Sequence, residues 1–362
     1  MNRRDFLRSA GGAAAAALPG ASRALAQSGP AAEGWRSFEV TTSVEVMRPA
    51  GTTRVWLPMP LISDTPYQRS LANTFHAEGG KTSVKNDASS ATGILAAEWP
   101  DGVRPVLTMT SRVSTRDYIA DLSKPAPSGS TDQSAVERFL KPSALIPTDG
   151  IVKATAAEIV GGAWTDVDKA RAIYDWIVDN TFRDPAVKGC GKGDIRFMLE
   201  TKNLGGKCAD LNALYVGLAR AAGLPARDVY GIRVAKSECG FKSLGASSEN
   251  VTKSQHCRAE VYLGGYGWVP VDPADVRKVV LEEPPGHRSL DDELVRQARA
   301  RLFGSWEMNW MAYNYSHDVE LPHSHGPKIG FLMYPQCETA NGRLDSLDAD
   351  NFRYQITARQ VT

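Results

Sequence analysis

The hydrophobic pattern of this chain changes its period once, and that change restricts the possible folds more than any other feature of the sequence. From Trp35 to about Asp121, apolar and polar residues alternate, most clearly over 38–46, and such alternation is typical of half-buried strands. Beyond a segment rich in Ser, Pro and Gly at 123–134, apolar residues recur at helical spacing. The sequence therefore predicts an α+β protein with a β-rich part followed by a helical part.

The length fits this division. At roughly 150 residues per domain, 362 residues suggest about two domains, each large enough to bury its own core. We place a β-sandwich-like domain at 27–122, a linker at 123–134, and a second domain with a C-terminal β extension at 135–362.

The second part begins with helices and continues with strands. Helical spacing covers 148–160 and 166–181, with Asp166 as the expected N-cap of the latter. The run 208–222 predicts a buried helix, which Gly223 ends. The later elements that we expect are strands at 228–234, 256–263 and 268–272, a helix at 289–302, and short strands near 329–334 and 351–357.

The first 26 residues predict an export signal and not a part of the fold. Arg3 and Arg4 precede a weakly hydrophobic Ala/Gly stretch, and the small residues Ala24 and Ala26 suit cleavage before Gln27. We therefore expect export by the twin-arginine route to the periplasm. No other apolar run approaches the roughly 18 residues that a membrane span requires, so we expect no span.

The net charge argues against nucleic acid as a partner. Without the predicted leader, which carries four arginines and one aspartate, 38 basic residues face 40 acidic ones, a net charge of −2. Proteins that bind nucleic acid normally carry a basic excess or a basic stripe. Neither is present, and this class is excluded.

The expected location in the periplasm affects the interpretation of the cysteines. An odd number of cysteines in an oxidising environment leaves at least one thiol unpaired, and an unpaired thiol is a candidate nucleophile. Cys208 follows two glycines and a lysine and stands in the first turn of the predicted helix 208–222, where the helix dipole stabilises a thiolate. The five cysteines are Cys190, Cys208, Cys239, Cys257 and Cys337.

A predicted hairpin supplies the partners that a nucleophilic thiol needs. The strand 256–263 carries His256, and the strand 268–272 returns beside it and ends at Asp272. A histidine on one strand and an aspartate on its neighbour can form an imidazole–carboxylate pair, which fixes the tautomer and supports a cysteine–histidine ion pair.

Four segments together resemble the transglutaminase-like superfamily of papain-like thiol enzymes. The resemblance covers roughly 165–275, and the combination of the four segments is far more specific than any one of them. These segments are GKCAD at 206–210, AAGLPAR at 221–227, His256 with Glu260 four residues later, and GWVPVDP at 267–273.

The resemblance implies a fold, a set of roles and an activity. The second domain would combine a helix with an antiparallel sheet, Cys208 would be the nucleophile, His256 the general base and acid, and Asp272 its orienter. The expected activity is thiol-dependent acyl transfer on a peptide or protein substrate, with hydrolysis favoured over transamidation and no cofactor or metal required. The alternative is a non-catalytic binding or scaffolding module that retains the fold.

Some residues depart from the superfamily pattern or leave a choice open. Many relatives have a tryptophan two residues after the histidine, where this chain has Arg258, so Arg258 is either a reader of acidic substrates or half of a surface pair with Glu260. Gly206 is expected to leave room for substrate. The simplest hairpin register pairs His256 with Asp275 and places Asp272 opposite Ala259, so Asp275 stays as a second candidate for the orienter.

The sequence also offers two candidate metal sites and one candidate disulfide. A loop with three histidines and a mixed cysteine–histidine set both lack the spacing of known zinc sites, so we expect no metal. If bridges form, we expect one between Cys190 and Cys239, with Cys257 a buried free thiol. The residues of the two metal candidates are His317, His323 and His325, and Cys190, Cys239, His256 and Cys257.

Overall fold

The computed structural model describes residues 34–125 and 133–361 of the chain. The export signal predicted at 1–26 and residues 126–132 of the predicted linker lie outside the described residues. The described residues confirm the predicted α+β class: two β-sheets form a sandwich, and helices pack against an antiparallel sheet in a second region.

The described part of the chain contains seventeen strands and seven α-helices. The strands are β1 (Arg36–Val46), β2 (Thr53–Pro58), β3 (Gln68–Ala77), β4 (Lys81–Asp87), β5 (Thr92–Trp99), β6 (Val106–Thr115), β7 (Tyr118–Ile119), β8 (Phe182–Arg183), β9 (Gly205–Gly206), β10 (Ala226–Arg233), β11 (Gln255–Leu263), β12 (Gly267–Val271), β13 (Ser305–Trp306), β14 (Trp310–Asn314), β15 (Gln336–Thr339), β16 (Gly342–Leu344) and β17 (Phe352–Val361). The helices are α1 (Gln133–Glu137), α2 (Gly150–Ile159), α3 (Asp166–Asn180), α4 (Ile195–Thr201), α5 (Cys208–Ala221), α6 (Pro273–Glu282) and α7 (Glu293–Arg301).

The sandwich consists of two antiparallel sheets, with strand orders β17-β1-β6-β3 and β16-β15-β2-β5-β4. Alternate side chains of each sheet face the other sheet, as the period of two requires. Val44 and Phe352 from the first sheet and Leu95 and Trp99 from the second belong to one buried cluster. This shared core holds the two sheets together.

The C-terminal strands complete the sandwich. β17 pairs antiparallel with β1 from Ser37↔Val361 to Val46↔Phe352, and β15 pairs with β2. The sequence predicts this part of the chain as a C-terminal β extension of the second domain. In the structure its strands join sheets that begin about 300 residues earlier, and a period-of-two pattern carries no information about which strand is the partner.

The second region is built around α5. Every residue of this helix from Cys208 to Arg220 is buried, as expected for a helix that is enclosed on all sides. The helix packs on β10 and β11 of a four-stranded antiparallel sheet with the order β12-β11-β10-β14, while α2, α3 and α6 surround it. The start of α5 thereby meets the start of β11.

Several local predictions about the second region were wrong. Residues 329–334 form no strand and contribute only an isolated bridge from Ile329 to Val319. Thr165, and not Asp166, caps α3, because its hydroxyl accepts from the backbone of Asp168. The helix α6 was missed, although Pro at the first position of a helix is favourable.

None of the helices in the described ranges combines the length and the apolarity needed to cross a membrane.

Candidate active site

Cys208 is the first residue of α5 and lies in the wall of a cleft of about 500 Å³. Its side chain is buried, with the residue 4% exposed, and the positive end of the helix dipole faces it. The same cleft is lined by Cys190, Gln255 and His256. The nucleophile predicted from the sequence therefore lies beside the histidine predicted as its partner.

Asp210 holds the loop that carries Cys190 against the start of α5. Its Oδ1 accepts hydrogen bonds from the backbone nitrogens of Lys192 and Gly193, both at 2.9 Å, and its Oδ2 accepts one from the nitrogen of Lys207 at 3.0 Å. The carbonyl of Cys190 accepts a bond from the nitrogen of Ala209 at 2.9 Å. These bonds fix Cys190 next to Cys208.

Two glycines make room for the Asp210 carboxylate. Gly191 has φ +95°, and a Cβ built there would lie 1.8 Å from Asp210 Oδ2. A Cβ on Gly206 would lie 2.5 Å from the Cβ of Asp210. The space that Gly206 leaves is thus occupied by Asp210, and Gly206 is not among the residues that line the cleft.

Three thiols meet at the start of α5. A hydrogen bond from Cys190, and then one from Cys257, hold the pKa of Cys208 well below its ordinary value; burial opposes this shift and His256 adds to it. The reciprocal bond to Cys208 raises the pKa of Cys190, and burial raises that of Cys257. Cys208 is the member of this cluster that is favoured as the thiolate.

His256 is held by Asp272. The distance from His256 Nε2 to Asp272 Oδ2 is 2.7 Å, and both residues are buried. The hairpin register that we predicted was wrong by one residue, because Leu263 pairs with Gly267 and Ala259 with Val271. Since Nε2 faces the carboxylate, Nδ1 is the ring nitrogen left for Cys208.

Asp275 also approaches His256. Asp272 Oδ1 accepts from the backbone of Asp275 at 3.1 Å and so caps α6, which brings the carboxylate of Asp275 to 3.4 Å from His256 Nε2. Arg233 binds both oxygens of Asp275, at 2.6 and 2.8 Å. Asp272 and Asp275, the two candidates for the residue that orients His256, therefore both contact the histidine, at different distances and with different partners.

Burial and charge separate the pKa values of these groups. Burial alone would lower the pKa of His256, but Asp275 and Asp272 outweigh it and raise that pKa to about 9. Burial, and then the charge of Asp275, raise the pKa of Asp272. Burial would also raise the pKa of Asp275, yet Arg233 and then His256 hold it well below its ordinary value. The arrangement favours a protonated His256 beside a Cys208 thiolate.

Arg258 lies behind the site and outside the cleft. It is 2% exposed; its guanidinium lies 4.7 Å from the Trp310 ring centre and donates to the Glu307 carbonyl at 3.0 Å. Its Nε is 3.7 Å from Asp272 Oδ2. The surface pair with Glu260 does not form, because Glu260 binds Arg227 at 2.7 Å. Arg258 thus approaches the Asp272 carboxylate from outside the cleft and is not part of the cleft lining.

The predicted disulfide between Cys190 and Cys239 is absent, and all five cysteines are free thiols. Cys190 lies in the cleft, where its sulfur is 3.4 Å from the Gln255 carbonyl oxygen, whereas Cys239 lines a separate small cavity with Glu307. The two loops that carry these cysteines line different cavities. Sequence proximity to the same strand was not sufficient to pair them.

The candidate metal sites do not assemble. Among residues 34–125 and 133–361, the metal-competent cluster of three or more side chains is His256 with Asp272 and Asp275, whose atoms already bind one another and Arg233. His317 lies 3.2 Å from Asp228 and away from the cleft.

Two site residues were missed from the sequence. Asn212 lies one turn after Cys208 and donates to the Cys257 carbonyl at 2.8 Å and to Asp272 Oδ1 at 3.3 Å, which ties the nucleophile helix to the hairpin. Gln255 lines the cleft, and its buried Nε2 has no hydrogen-bond partner within residues 34–125 and 133–361. A polar residue on the buried stripe of α5 was the available signal for Asn212; nothing in the sequence distinguishes Gln255.

Two family models match this chain, one in the region that contains the site and one at the N-terminus. The model of the transglutaminase-like superfamily matches residues 153–273, a range that contains Cys208, His256 and Asp272. The model of twin-arginine translocation signals matches residues 1–20 and confirms the predicted export to the periplasm.

Similar proteins cover most of the chain. A Haemophilus influenzae protein without assigned function is 35% identical over 344 residues, which are 90% of this chain and 91% of that protein. The structure of a candidate cysteine protease from Cytophaga hutchinsonii has a TM-score of 0.51 at 18% identity, covering 90% of this chain and 98% of that one. The periplasmic domain of TgpA from Pseudomonas aeruginosa has a TM-score of 0.36 at 16% identity, over 68% and 88% of the two chains. The likeness to the Cytophaga protein is one of fold and includes the sandwich.

Proposed function

The chain belongs to the transglutaminase-like superfamily, and on that premise we propose that it is an exported thiol enzyme that hydrolyses amide bonds in peptides. The observation that carries the proposal is the buried contact between Cys208 and His256 at the start of α5, with His256 held by Asp272 at 2.7 Å. A cysteine in this environment is the nucleophile of a covalent mechanism.

Acylation begins from the ion pair. The Cys208 thiolate attacks the carbonyl carbon of the scissile amide, a C–S bond forms, and the carbonyl π electrons move to the oxygen. His256 then donates the proton on Nδ1 to the leaving nitrogen as the C–N bond breaks, and an amine departs. Asp272 keeps Nε2 protonated and the ring in place throughout.

Two donors are available for the oxyanion of the tetrahedral intermediate. The first is the backbone N–H of Cys208 at the start of α5, where the helix dipole adds favourable charge. The second is Gln255, whose buried side-chain nitrogen lines the cleft without a partner among the described residues. A buried donor left unpaired in the free protein costs stability, and a role in catalysis explains why it is retained.

Deacylation reverses the proton transfers. Neutral His256 removes a proton from water, the resulting hydroxide attacks the thioester carbon, and the C–S bond breaks to release a carboxylic acid and the thiolate. An amine in place of water would give transamidation through the same steps.

Incubation of the mature protein with a diverse peptide pool, followed by mass spectrometry, tests the proposal. We expect shortened peptides with the wild type and none with Cys208→Ala, and only minor amine-joined products when a primary amine is added. Predominant amine-joined products would reassign the enzyme as a transamidase. Identical peptide patterns for wild type and Cys208→Ala would leave the non-catalytic binding module as the better description.

A further inference from the structure

Among the described residues, the cleft around Cys208 is lined by six basic side chains and by no carboxylate. This is a local feature, because the chain without its leader has slightly more acidic than basic residues. The basic lining residues are Arg183, Lys188, Lys207, Arg233, Lys253 and Lys278.

Carboxylates outside the cleft lining neutralise only part of this charge. Arg183 and Lys278 share one carboxylate, that of Glu282, and Lys278 is 3.7 Å from it. Lys188 binds Asp345 at 2.6 Å. Together with the Arg233–Asp275 pair, these contacts account for four of the six cations with three carboxylates.

Lys207 and Lys253 are the two cations left over. The Nζ of Lys207 donates to the Val187 carbonyl at 2.6 Å, which satisfies one of its three protons without neutralising its charge. Lys253 is exposed at the rim of the cleft and has no carboxylate partner in the described ranges. Lys207 directly precedes the nucleophile, and Lys253 lies three residues before the histidine.

A second observation is consistent with a positive potential in the cleft. Burial is the largest influence that lowers the pKa of Lys278, and the charge of Arg233 lowers it further, while the nearby carboxylates only partly compensate. Cations that lower the pKa values of one another gain most from a bound anion.

We propose that this cleft selects peptides that carry a carboxylate next to the scissile amide, and that Lys207 and Lys253 bind that carboxylate. The inference rests on the proposed function and supplies its substrate class: an acidic side chain or a free C-terminus. The sequence left Arg258 as one candidate reader of acidic substrates, but Lys207 and Lys253 line the cleft and Arg258 does not.

Alkylation of Cys208 with two reagents of opposite electrostatic character tests the charge separately from catalysis. Iodoacetate and iodoacetamide share a leaving group, but only iodoacetate is anionic. For the wild type we expect a high ratio of the iodoacetate rate to the iodoacetamide rate. We expect this ratio to be roughly two- to threefold lower in each of the single variants Lys253→Gln and Lys207→Gln. We also expect the wild-type ratio to fall with added salt.

Lys153→Gln, on the exposed face of α2, is the matched control and should leave the ratio unchanged. The imidazolium of His256 also favours iodoacetate, but it is common to all the variants, so the comparison isolates the lysines. An unchanged ratio in Lys253→Gln and Lys207→Gln, with both variants folded, would contradict the carboxylate site and leave the nucleophile intact. Failure of Cys208 to react with iodoacetamide at all would instead contradict the proposed function.

Matched peptide pairs extend the test to turnover. For a peptide that the enzyme cleaves, replacement of Gln by Glu beside the scissile bond should raise kcat/KM several-fold in the wild type and have less effect in Lys253→Gln. Equal kcat/KM for the two peptides would overturn the substrate class while hydrolysis itself stood.

Discussion

At the scale of single residues, two carboxylates face the same nitrogen of His256, and their distances and partners indicate different roles. Asp272 lies at 2.7 Å and accepts the hydrogen bond, whereas Asp275 lies at 3.4 Å and is neutralised by Arg233. A short hydrogen bond orients a ring, while a charge slightly farther away changes its pKa. We therefore assign orientation to Asp272 and electrostatic support to Asp275.

The activity of the two carboxylate variants should separate these roles. Asp272→Asn should lower kcat by roughly 10²-fold or more, but less than Cys208→Ala, because the nucleophile and His256 both remain when only the residue that orients the ring is changed. Asp275→Asn should lower stability by about 3–5 kcal/mol, because it leaves Arg233 buried without its carboxylate, and should affect kcat less. Kinetics and thermal unfolding of the same preparations measure both effects. A larger loss of kcat in a folded Asp275→Asn variant would exchange the two assignments.

The pH dependence of kcat/KM should be bell-shaped. The rate rises with pH as Cys208 loses its proton, which occurs well below the ordinary thiol value of 9.0. It falls as His256 loses the proton that it must donate to the leaving group, and this happens as the pH rises through about 9. An alkaline limb near the ordinary histidine value of 6.5 would show that the two carboxylates do not act on His256 as described.

The residues that were predictable from the sequence are those whose role depends on local structure. Cys208 follows from a helix start, and His256 follows from a strand of the predicted hairpin. Asp272 was preferred because of the superfamily resemblance, since the predicted register placed Asp275 opposite His256. Arg258 and Gly206 were given contacts with substrate because their surroundings come from distant segments: Trp310 covers the former, and Asp210 fills the space beside the latter.

At the scale of elements, the contact between the loop at 188–193 and the start of α5 is the feature that assembles the thiol cluster. Asp210 accepts from two backbone nitrogens of this loop and from one at the helix start. A carboxylate in the first turn of a helix is favourable for the dipole, so a single side chain caps the helix and fixes the loop. The sequence showed the motif GKCAD, but not that its aspartate binds a loop 17 residues upstream.

Replacement of Gly191 tests this contact. Gly191→Ala places a Cβ 1.8 Å from Asp210 Oδ2 at φ +95°, so we expect a loss of about 2–4 kcal/mol in the free energy of unfolding. Gly162→Ala is the control: a Cβ there meets no atom within 4 Å, and we expect a change within about 0.5 kcal/mol. Equal stability of the two variants in denaturant titrations would contradict the proposed anchoring.

At the scale of the whole molecule, the sandwich and the second region share the cleft. Phe352 and Tyr354 of β17 line the cleft, although β17 is a strand of the sandwich. The fold class was predictable because the hydrophobic pattern of the sequence changes from a period of two to helical spacing. The return of the C-terminus to β1 was not, because antiparallel pairing across about 300 residues is decided by the complementarity of two surfaces and not by either strand alone.

Replacement of Phe352 tests whether β17 is an integral part of the sandwich. Its side chain is 1% exposed within the core of the sandwich, so Phe352→Ala should reduce the free energy of unfolding by about 3–5 kcal/mol. Arg353→Ala, at the exposed neighbouring position of the same strand, should change it by no more than about 0.5 kcal/mol. A small effect of Phe352→Ala would mean that β17 is peripheral to the sandwich.

The reactivity of Cys208 tests the central claim most directly. Native protein in mildly acidic buffer is treated briefly with iodoacetamide, digested and mapped by mass spectrometry, with protein unfolded in denaturant as the reference for ordinary thiols. We predict that Cys208 is alkylated faster in the native protein than in the unfolded one, that the other four cysteines are alkylated more slowly, and that His256→Ala abolishes the advantage. Alkylation of native Cys208 no faster than of the unfolded chain would contradict the account of this site as that of a thiol enzyme.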